Sequence, residues 1–219
     1  MARVNLPAQY NPPTYTDTRI NVYAYLVVTD SDVILIDTGV GAGNKIIEDR
    51  FAPLLTPITE ELARFDISLP EVSIIVNSHL HFDHCGNNAM FPDAEIYVQE
   101  RELEIARNTR YTVTNWFDYN GARIKSIAGD MEISKGVKLL ASPGHTPGHQ
   151  SVFLESTERN ILVAAQAAYT ADEYLRGGDP VDQAHEGLGE VYVQSITRLK
   201  SLDAAQVYFS NDDQAAKNS

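Results

Sequence analysis

The sequence has little cysteine, little positive charge and no long apolar run. One cysteine, Cys85, among 219 residues excludes an intramolecular disulfide, so a packed core or a bound metal must hold the fold. Seventeen basic against 30 acidic residues give a formal net charge of -13, which repels nucleic acid and anionic lipid. We therefore expect a small-molecule substrate as the partner, with no nucleic acid and no membrane.

We expect no secretory signal at the N-terminus. MARVNLPAQYNPPTYTD has no apolar core of about 7 to 15 residues, and no apolar run approaches the ~18 residues of a membrane span. We expect a cytoplasmic protein. The length and the 43% apolar composition suffice for a sizeable core, and we expect a single domain over residues 1–219.

Short apolar runs alternate with turns and a few helical patterns. β-branched and aromatic runs predict strands at 21–28, 32–37, 72–78, 94–99, 123–128, 136–142, 151–156, 160–165 and 205–210. Helices are expected at 45–64, 99–108 and 190–203, the last with an apolar face of Val193, Ile196, Leu199 and Leu202. Strands interspersed with helices indicate a layered α/β or α+β fold.

Three of the six histidines lie in one short stretch, NSHLHFDHCGNN at 77–88. Because 72–78 is expected to be extended, His79 and His81 should project to the same side and share one ion. The glycine and asparagines that follow favour a turn that sends Asp83 and His84 elsewhere, toward a second ion or into the role of a base. Imidazole with carboxylate is a ligand set for zinc, and it also serves iron, cobalt or manganese.

A catalytic zinc needs a third protein ligand and an open position for water. The segment SPGHTPGHQSVF at 142–153 offers two histidines between prolines and glycines. By composition alone, either His145 or His149 could be that ligand.

The two histidine segments together resemble the metallo-β-lactamase superfamily. HLHFDH has the HxHxDH pattern, PGHTPGH is similar to the next ligand loop, and the strand pair that ends in IDTG at 36–39 resembles the N-terminal part of these proteins. SPGHTPGHQS followed by AAYT and RLK is most similar to the N-acyl-homoserine lactone lactonases. The resemblance implies an α+β fold of the four-layer αββα sandwich type.

Carried over by position, the resemblance implies roles for the motif residues. His79, His81 and His145 would bind the first ion, and Asp83 and His84 the second, with His149 outside the ligand set. Tyr169, in AAYT, matches a tyrosine beside the substrate carbonyl and leaving group.

Two positions depart from the family pattern. Gln166 stands where a carboxylate bridges both ions, and Asn211 stands where the last histidine is found. A bridging carboxylate offsets the repulsion between two dications about 3.5 to 4 Å apart, whereas an amide offers only a dipole and is a poorer ligand for zinc than imidazole. We therefore expect one firmly held ion, most simply zinc, and a second position that is weak or empty.

Other side chains could replace the missing ligands. A one-residue slip after the last strand would bring Asp212 near the ions, and further candidates are Asp172, Asp179, Asp213 and His185. Each is more often an ordinary solvated loop residue.

The leading hypothesis is a metal-dependent hydrolase that opens a small lactone of the N-acyl-homoserine type, a quorum-quenching activity. Asp83 would orient the attacking water or act as the base, with Tyr169 at the substrate. Two alternatives stay open: a catalytically weakened or inactive binding protein of the same fold, and a thioester or lactam hydrolase. The oligomeric state is open, with a homodimer as one option.

Overall fold

The computed structural model describes residues 2–5, 20–109 and 112–218. The chain divides into two compact units. The first comprises Met1–Tyr97 and Ala106–Lys125, and the second comprises Val98–Ile105 and Ser126–Ser219.

The first unit is built on a mixed six-stranded sheet. Its strands, in sheet order, are β1 (Ala2–Asn5), β2 (Tyr23–Val28), β3 (Val33–Ile36), β4 (Ile74–Val76), β5 (Glu95–Gln99) and β6 (Arg123–Ile127). β1, β2 and β3 pair antiparallel, and β3, β4 and β5 pair parallel. Ile36 pairs with Val76 at the carboxyl ends of β3 and β4, so the segments that follow these two strands leave the sheet side by side.

The helices of the first unit are short. They are α1 (Lys45–Phe51), α2 (Ile58–Ala63), α4 (Thr114–Phe117) and two 3-10 turns (Leu69–Glu71 and Asn88–Met90), while α3 (Glu100–Asn108) begins in the second unit. The core joins Ile58 and Leu62 of α2 to strand residues such as Leu35 and Ile75.

The helix expected at 45–64 is two helices. Ala52 adopts a left-handed conformation with φ 43°, and α2 starts only after Pro57. Pro53 follows Ala52 directly and lacks the N–H that would continue α1, so the chain starts a new helix after Pro57 rather than extending the first.

The second unit is built on a five-stranded sheet. Its strands, in sheet order, are β11 (Gln206–Phe209), β10 (Ile161–Ala165), β9 (Gln150–Leu154), β8 (Val137–Ala141) and β7 (Met131–Ser134). Only the β10–β11 pair is parallel. Its helices are α5 (Ala171–Arg176), α6 (Pro180–Gln183) and α7 (Gly189–Lys200).

α7 buries a slightly different face from the one expected. Tyr192, Ser195, Ile196 and Leu199 are buried, whereas Val193 is 38% exposed and Leu202 follows the end of the helix. Tyr192 replaces Val193 because positions i, i+4 and i+7 form one helical stripe, and 192, 196 and 199 follow it.

All nine predicted strands are present, and each is shorter than its predicted range by one to four residues. The α+β class is confirmed. β1, β7, α4, α5 and α6 are elements that the sequence pattern did not predict. Among the described residues, no helix is long and apolar enough to cross a membrane.

Candidate metal centre

The strand before the histidine segment is shorter than predicted. It ends at Val76, and residues 77–87 form bends and turns, because the N–H of Ser78 bonds a side-chain carboxylate rather than a strand carbonyl. Strand alternation therefore does not place His79 and His81, and that part of the prediction is wrong. The turn nevertheless brings His79 Nε2 to 2.9 Å from His81 Nδ1, so the two imidazoles converge.

The carboxylate that ends the strand belongs to Asp37, which is buried directly after β3. One of its oxygens accepts the Ser78 N–H at 2.7 Å, and the other accepts the Ser78 hydroxyl at 2.7 Å and His84 Nδ1 at 2.8 Å. Because the Ser78 hydroxyl donates to Asp37, its oxygen accepts from His79 Nδ1, 3.1 Å away. The His79 ring is thereby held in the tautomer whose Nε2 carries the lone pair, as a metal-binding histidine requires, and His84 keeps its Nδ1 proton on Asp37.

Asp83 and His84 are a buried, opposite-charge pair 3.5 Å apart. Burial alone would raise the pKa of Asp83, but the charge of His84 and its hydrogen bond outweigh burial and lower that pKa to about 2. Burial likewise would lower the pKa of His84, but the carboxylates of Asp83 and Asp37 raise it to about 10. An ion that binds through His84 must therefore displace a proton.

The backbone around the motif is fixed by a close crossing of two loops. A Cβ on Gly86 would lie 1.9 Å from the nitrogen of Gly41, so neither segment has room for a side chain there. The N–H of Thr38 donates to the His84 carbonyl at 2.8 Å, and the Asn77 amide donates to the same carbonyl at 3.1 Å. Gly41 of DTGVGAG thus serves a packing contact with the end of the histidine segment.

His145 lies in the second unit, in the loop between β8 and β9. Its Nδ1 is 3.2 Å from the carbonyl oxygen of Gln183 and donates to it, which again leaves the lone pair on Nε2. His149 is completely buried, with Nδ1 2.9 Å from the hydroxyl of Ser142. Of the two loop histidines, His145 has the arrangement expected of a ligand.

Glu102 holds this loop and was not predicted. It is buried in α3, and one carboxylate oxygen accepts the Thr146 hydroxyl at 2.7 Å and the Gly148 N–H at 3.1 Å. A Cβ on Gly148 would lie 2.2 Å from the Glu102 nitrogen, so helix and loop backbones touch. Nothing in the sequence marks Glu102, because its partners lie 44 and 46 residues further along the chain.

Gln166 and Tyr169 follow β10. Gln166 is buried and comes directly after Ala165, whose φ of 53° turns the chain sharply at the end of the strand. Tyr169 is partly buried, and its ring meets the ring of His145 edge to face at 5.7 Å between centroids. The second unit therefore brings two of the predicted site residues, His145 and Tyr169, together.

Asn211 follows β11, two residues after its end, and is partly buried. The neighbouring Asp212 uses one carboxylate oxygen to accept the Ala171 N–H at 2.7 Å and the other to accept the Gln214 N–H at 2.9 Å. These contacts support the ordinary interpretation of Asp212, as a residue that fastens the start of α5. Asp172 and Asp213, as well as His185, are exposed.

Comparison with known proteins gives the arrangement a family. Residues 17–210 match the metallo-β-lactamase superfamily. The chain belongs to this superfamily. Its membership confirms the predicted fold class, and the family match runs through both compact units.

Several superfamily members are similar to the chain over most of its length. The N-acyl homoserine lactonase AiiA of Bacillus thuringiensis subsp. kurstaki is 31% identical over 218 residues, which cover 90% of this chain and 83% of that protein. An N-acyl homoserine lactonase of Bacillus cereus is 33% identical over 212 residues with the same coverage. A solved N-acyl homoserine lactone hydrolase, with the product N-hexanoyl-L-homoserine at its catalytic metal centre, matches with a TM-score of 0.80 and 29% identity over 96% of this chain and 93% of that one.

Proposed function

We propose that the protein is a metal-dependent hydrolase that opens a lactone of the N-acyl-homoserine type. The observation that carries the proposal is the likeness to lactonases over 90% of the chain, at 31% identity, in a protein that has the histidines of both motifs. Its action on such signal molecules would be quorum quenching.

Carried over from the family pattern, the ligands of the first ion would be His79, His81 and His145. Each offers one ring nitrogen as a ligand atom. The donor set fits a divalent ion of the zinc type, because three neutral imidazoles are one of the ligand sets of catalytic zinc. The fit is supported by the outer partners of His79 and His145, which hold each ring with the lone pair on Nε2.

When bound, the ion would supply Lewis acidity, which lowers the pKa of a coordinated water and polarises an ester carbonyl. The chain supplies the rest of the chemistry. Asp83, which is buried, would orient the attacking water or act as the base. The Tyr169 hydroxyl would donate to the lactone oxygens, with its ring held at the edge of His145.

Carried over from the family pattern, the second ion position would have Asp83 and His84 as ligands, with the amides of Gln166 and Asn211 at the places of the missing ones. Without the bridging carboxylate, two dications would repel each other more strongly than they do in members of the family that have it. We therefore propose one firmly held ion and a weak or empty second position.

The test is turnover of N-hexanoyl-homoserine lactone by protein reconstituted with zinc, followed as acid release at constant pH. Ring opening that requires the ion and disappears in His145→Ala would support the proposal. A panel of lactones with no turnover at any zinc concentration would sink it, and γ-thiolactone and β-lactam substrates assayed alongside would detect the thioester and lactam alternatives.

A second candidate function rests on Gln166 and Asn211. If the two amides leave the ion too weakly held for catalysis, the protein would bind lactones without opening them. Saturable binding of the intact lactone, measured by calorimetry on zinc-loaded protein with no product formed, would favour this candidate over the first.

A cytoplasmic protein with a small-molecule substrate stays our proposal, and sedimentation analysis of purified protein would establish whether it is a homodimer.

A further inference from the structure

A buried carboxylate behind Tyr169 has no role in the chemistry described above. Glu173 lies in the first turn of α5 and is only 6% exposed. Its Oε2 accepts the backbone N–H of Tyr169 at 2.9 Å, and its Oε1 accepts the hydroxyl of Tyr192 at 2.5 Å. Both partners are donors, and each oxygen of the carboxylate accepts from one of them.

Ordinary helix capping does not account for this contact. Thr170 is the N-cap of α5, and its hydroxyl accepts the Glu173 N–H at 3.1 Å, which is half of a capping box. In a complete box the glutamate would reach back to the N–H of the cap residue itself. Here the carboxylate passes Thr170 and binds the N–H of Tyr169, so it fixes the residue before the helix.

Tyr192 connects the same carboxylate to the loop that carries His145. Gly144 has φ 154°, and a Cβ on it would lie 2.6 Å from the Tyr192 Cα, so the α7 backbone lies directly against this loop. The N–H of His185 also donates to the Gly144 carbonyl at 2.8 Å. The residue immediately before His145 is therefore held from two sides.

We propose that Glu173, together with Tyr192, positions the Tyr169 side chain relative to His145. This inference rests on the proposed function, because it assumes that Tyr169 acts on the substrate. Glu173 fixes the backbone from which the Tyr169 ring extends, and Tyr192 ties Glu173 to the loop on which His145 sits. A small displacement of Tyr169 would then reduce its contribution to ring opening although no reacting group is removed.

The main test is a double-mutant cycle with Glu173→Gln and Tyr169→Phe in the zinc-loaded protein. The glutamine has the same shape but no charge, so its amide either turns its NH₂ group toward the Tyr169 N–H or accepts that N–H with a neutral oxygen, and in both orientations the bond to Tyr169 is weaker. We expect each single variant to lower kcat about 10-fold or more with little change in KM, since misplacement of about 1 Å costs up to about 100-fold. The double variant should be no slower than Tyr169→Phe alone.

A merely structural role predicts a different pattern. In that case the two reductions in kcat would multiply in the double variant, or Glu173→Gln would lose zinc and lower the melting temperature enough to account for its lower kcat. Either result would overturn the inference. Glu158→Gln, the same change at an exposed site of the same unit, is the matched control. If Glu173→Gln fails to fold, Tyr192→Phe removes the other hydrogen bond, keeps the ring, and should show the same non-additivity.

A measurement without turnover separates this inference from the proposed function. In protein labelled with ¹⁵N-tyrosine, the signal that disappears in Tyr169→Phe reports the Tyr169 amide. A bond to a carboxylate shifts that amide proton downfield, so Glu173→Gln should move it upfield. If the wild type opens no lactone, the proposed function fails, and this shift alone decides whether Glu173 holds Tyr169; an unmoved signal overturns the inference.

Discussion

The two units of the molecule differ in how they support the side chains that we propose as metal ligands. In the first unit, one carboxylate, Asp37, orients two imidazoles of the HxHxDH segment, and the charged pair of Asp83 and His84 is complete. In the second unit, a backbone carbonyl orients His145 by a hydrogen bond. Amides stand at the two remaining ligand positions of the family pattern. The difference teaches that orienting a ligand and supplying charge to an ion are separate tasks, and that only the second task is altered here.

The largest effect should follow from removing the histidine of the second unit. His145→Ala should reduce the zinc content from about one ion per chain to almost none and lower any hydrolysis by roughly 1,000-fold or more, because two histidines alone hold zinc poorly. Elemental analysis and the lactone assay measure both effects. His185→Ala, at an exposed histidine of the same unit, should retain the ion. Zinc retained in full by His145→Ala would contradict the proposed ligand set.

Restoring the family's ligands at the two amide positions of the second unit should remove the difference between the units. Gln166→Asp combined with Asn211→His should raise zinc binding from about one to about two ions per chain, since the new carboxylate offsets the repulsion between the ions. Gln194→Asp, the same change on the exposed face of α7, should leave the number of ions unaltered. If the double variant still binds a single ion, the amides are not what limits the second position.

Weakening the hydrogen bonds that orient the imidazoles of the first unit tests how much that orientation contributes to zinc affinity. Asp37→Asn removes the charge that His84 and Ser78 contact but no ligand, and it should lower zinc affinity about 10- to 100-fold. Competition with a coloured chelator gives the affinity directly. Asp30→Asn, at an exposed position of the same unit, is the control. An unchanged affinity would show that the histidines hold their tautomers without Asp37.

The smallest effect is expected at Asp212. Asp212→Asn keeps an oxygen that can accept the Ala171 N–H, so the free energy of unfolding should fall by less than about 1 kcal/mol. Denaturant titration measures that change, and zinc content should stay as in the wild type. Loss of zinc would instead identify Asp212 as a ligand in place of Asn211.

Local patterns predicted the framework well. The nine strands were visible as β-branched runs, and the histidine motifs indicated a metal site, because both signals lie within a few neighbouring residues. β7 was missed since MEIS carries little apolar signal, and 45–64 was drawn as one helix although Pro57 interrupts it. Those errors arise where short segments depend on tertiary contacts rather than on their own propensity.

The supporting residues of the site were beyond such patterns. Asp37 meets Ser78 across 41 positions, and Glu102 meets Thr146 across 44. Glu173 reaches Tyr169 over four positions only, yet it looks like a routine capping residue in the sequence. Pairings of this kind are made by the packing of strands and helices, so the sequence alone identified the proposed ligands but not the groups that orient them.

The hydrogen bonds of Asp37 have one further consequence. They join protein to protein and do not pass through an ion, so the histidine segment is shaped by folding itself. Much of the entropy of arranging these ligands is then lost before metal arrives, unlike in small zinc domains that are unfolded without their ion. A chelator should therefore remove the metal and leave a folded chain that can bind zinc, cobalt or manganese again.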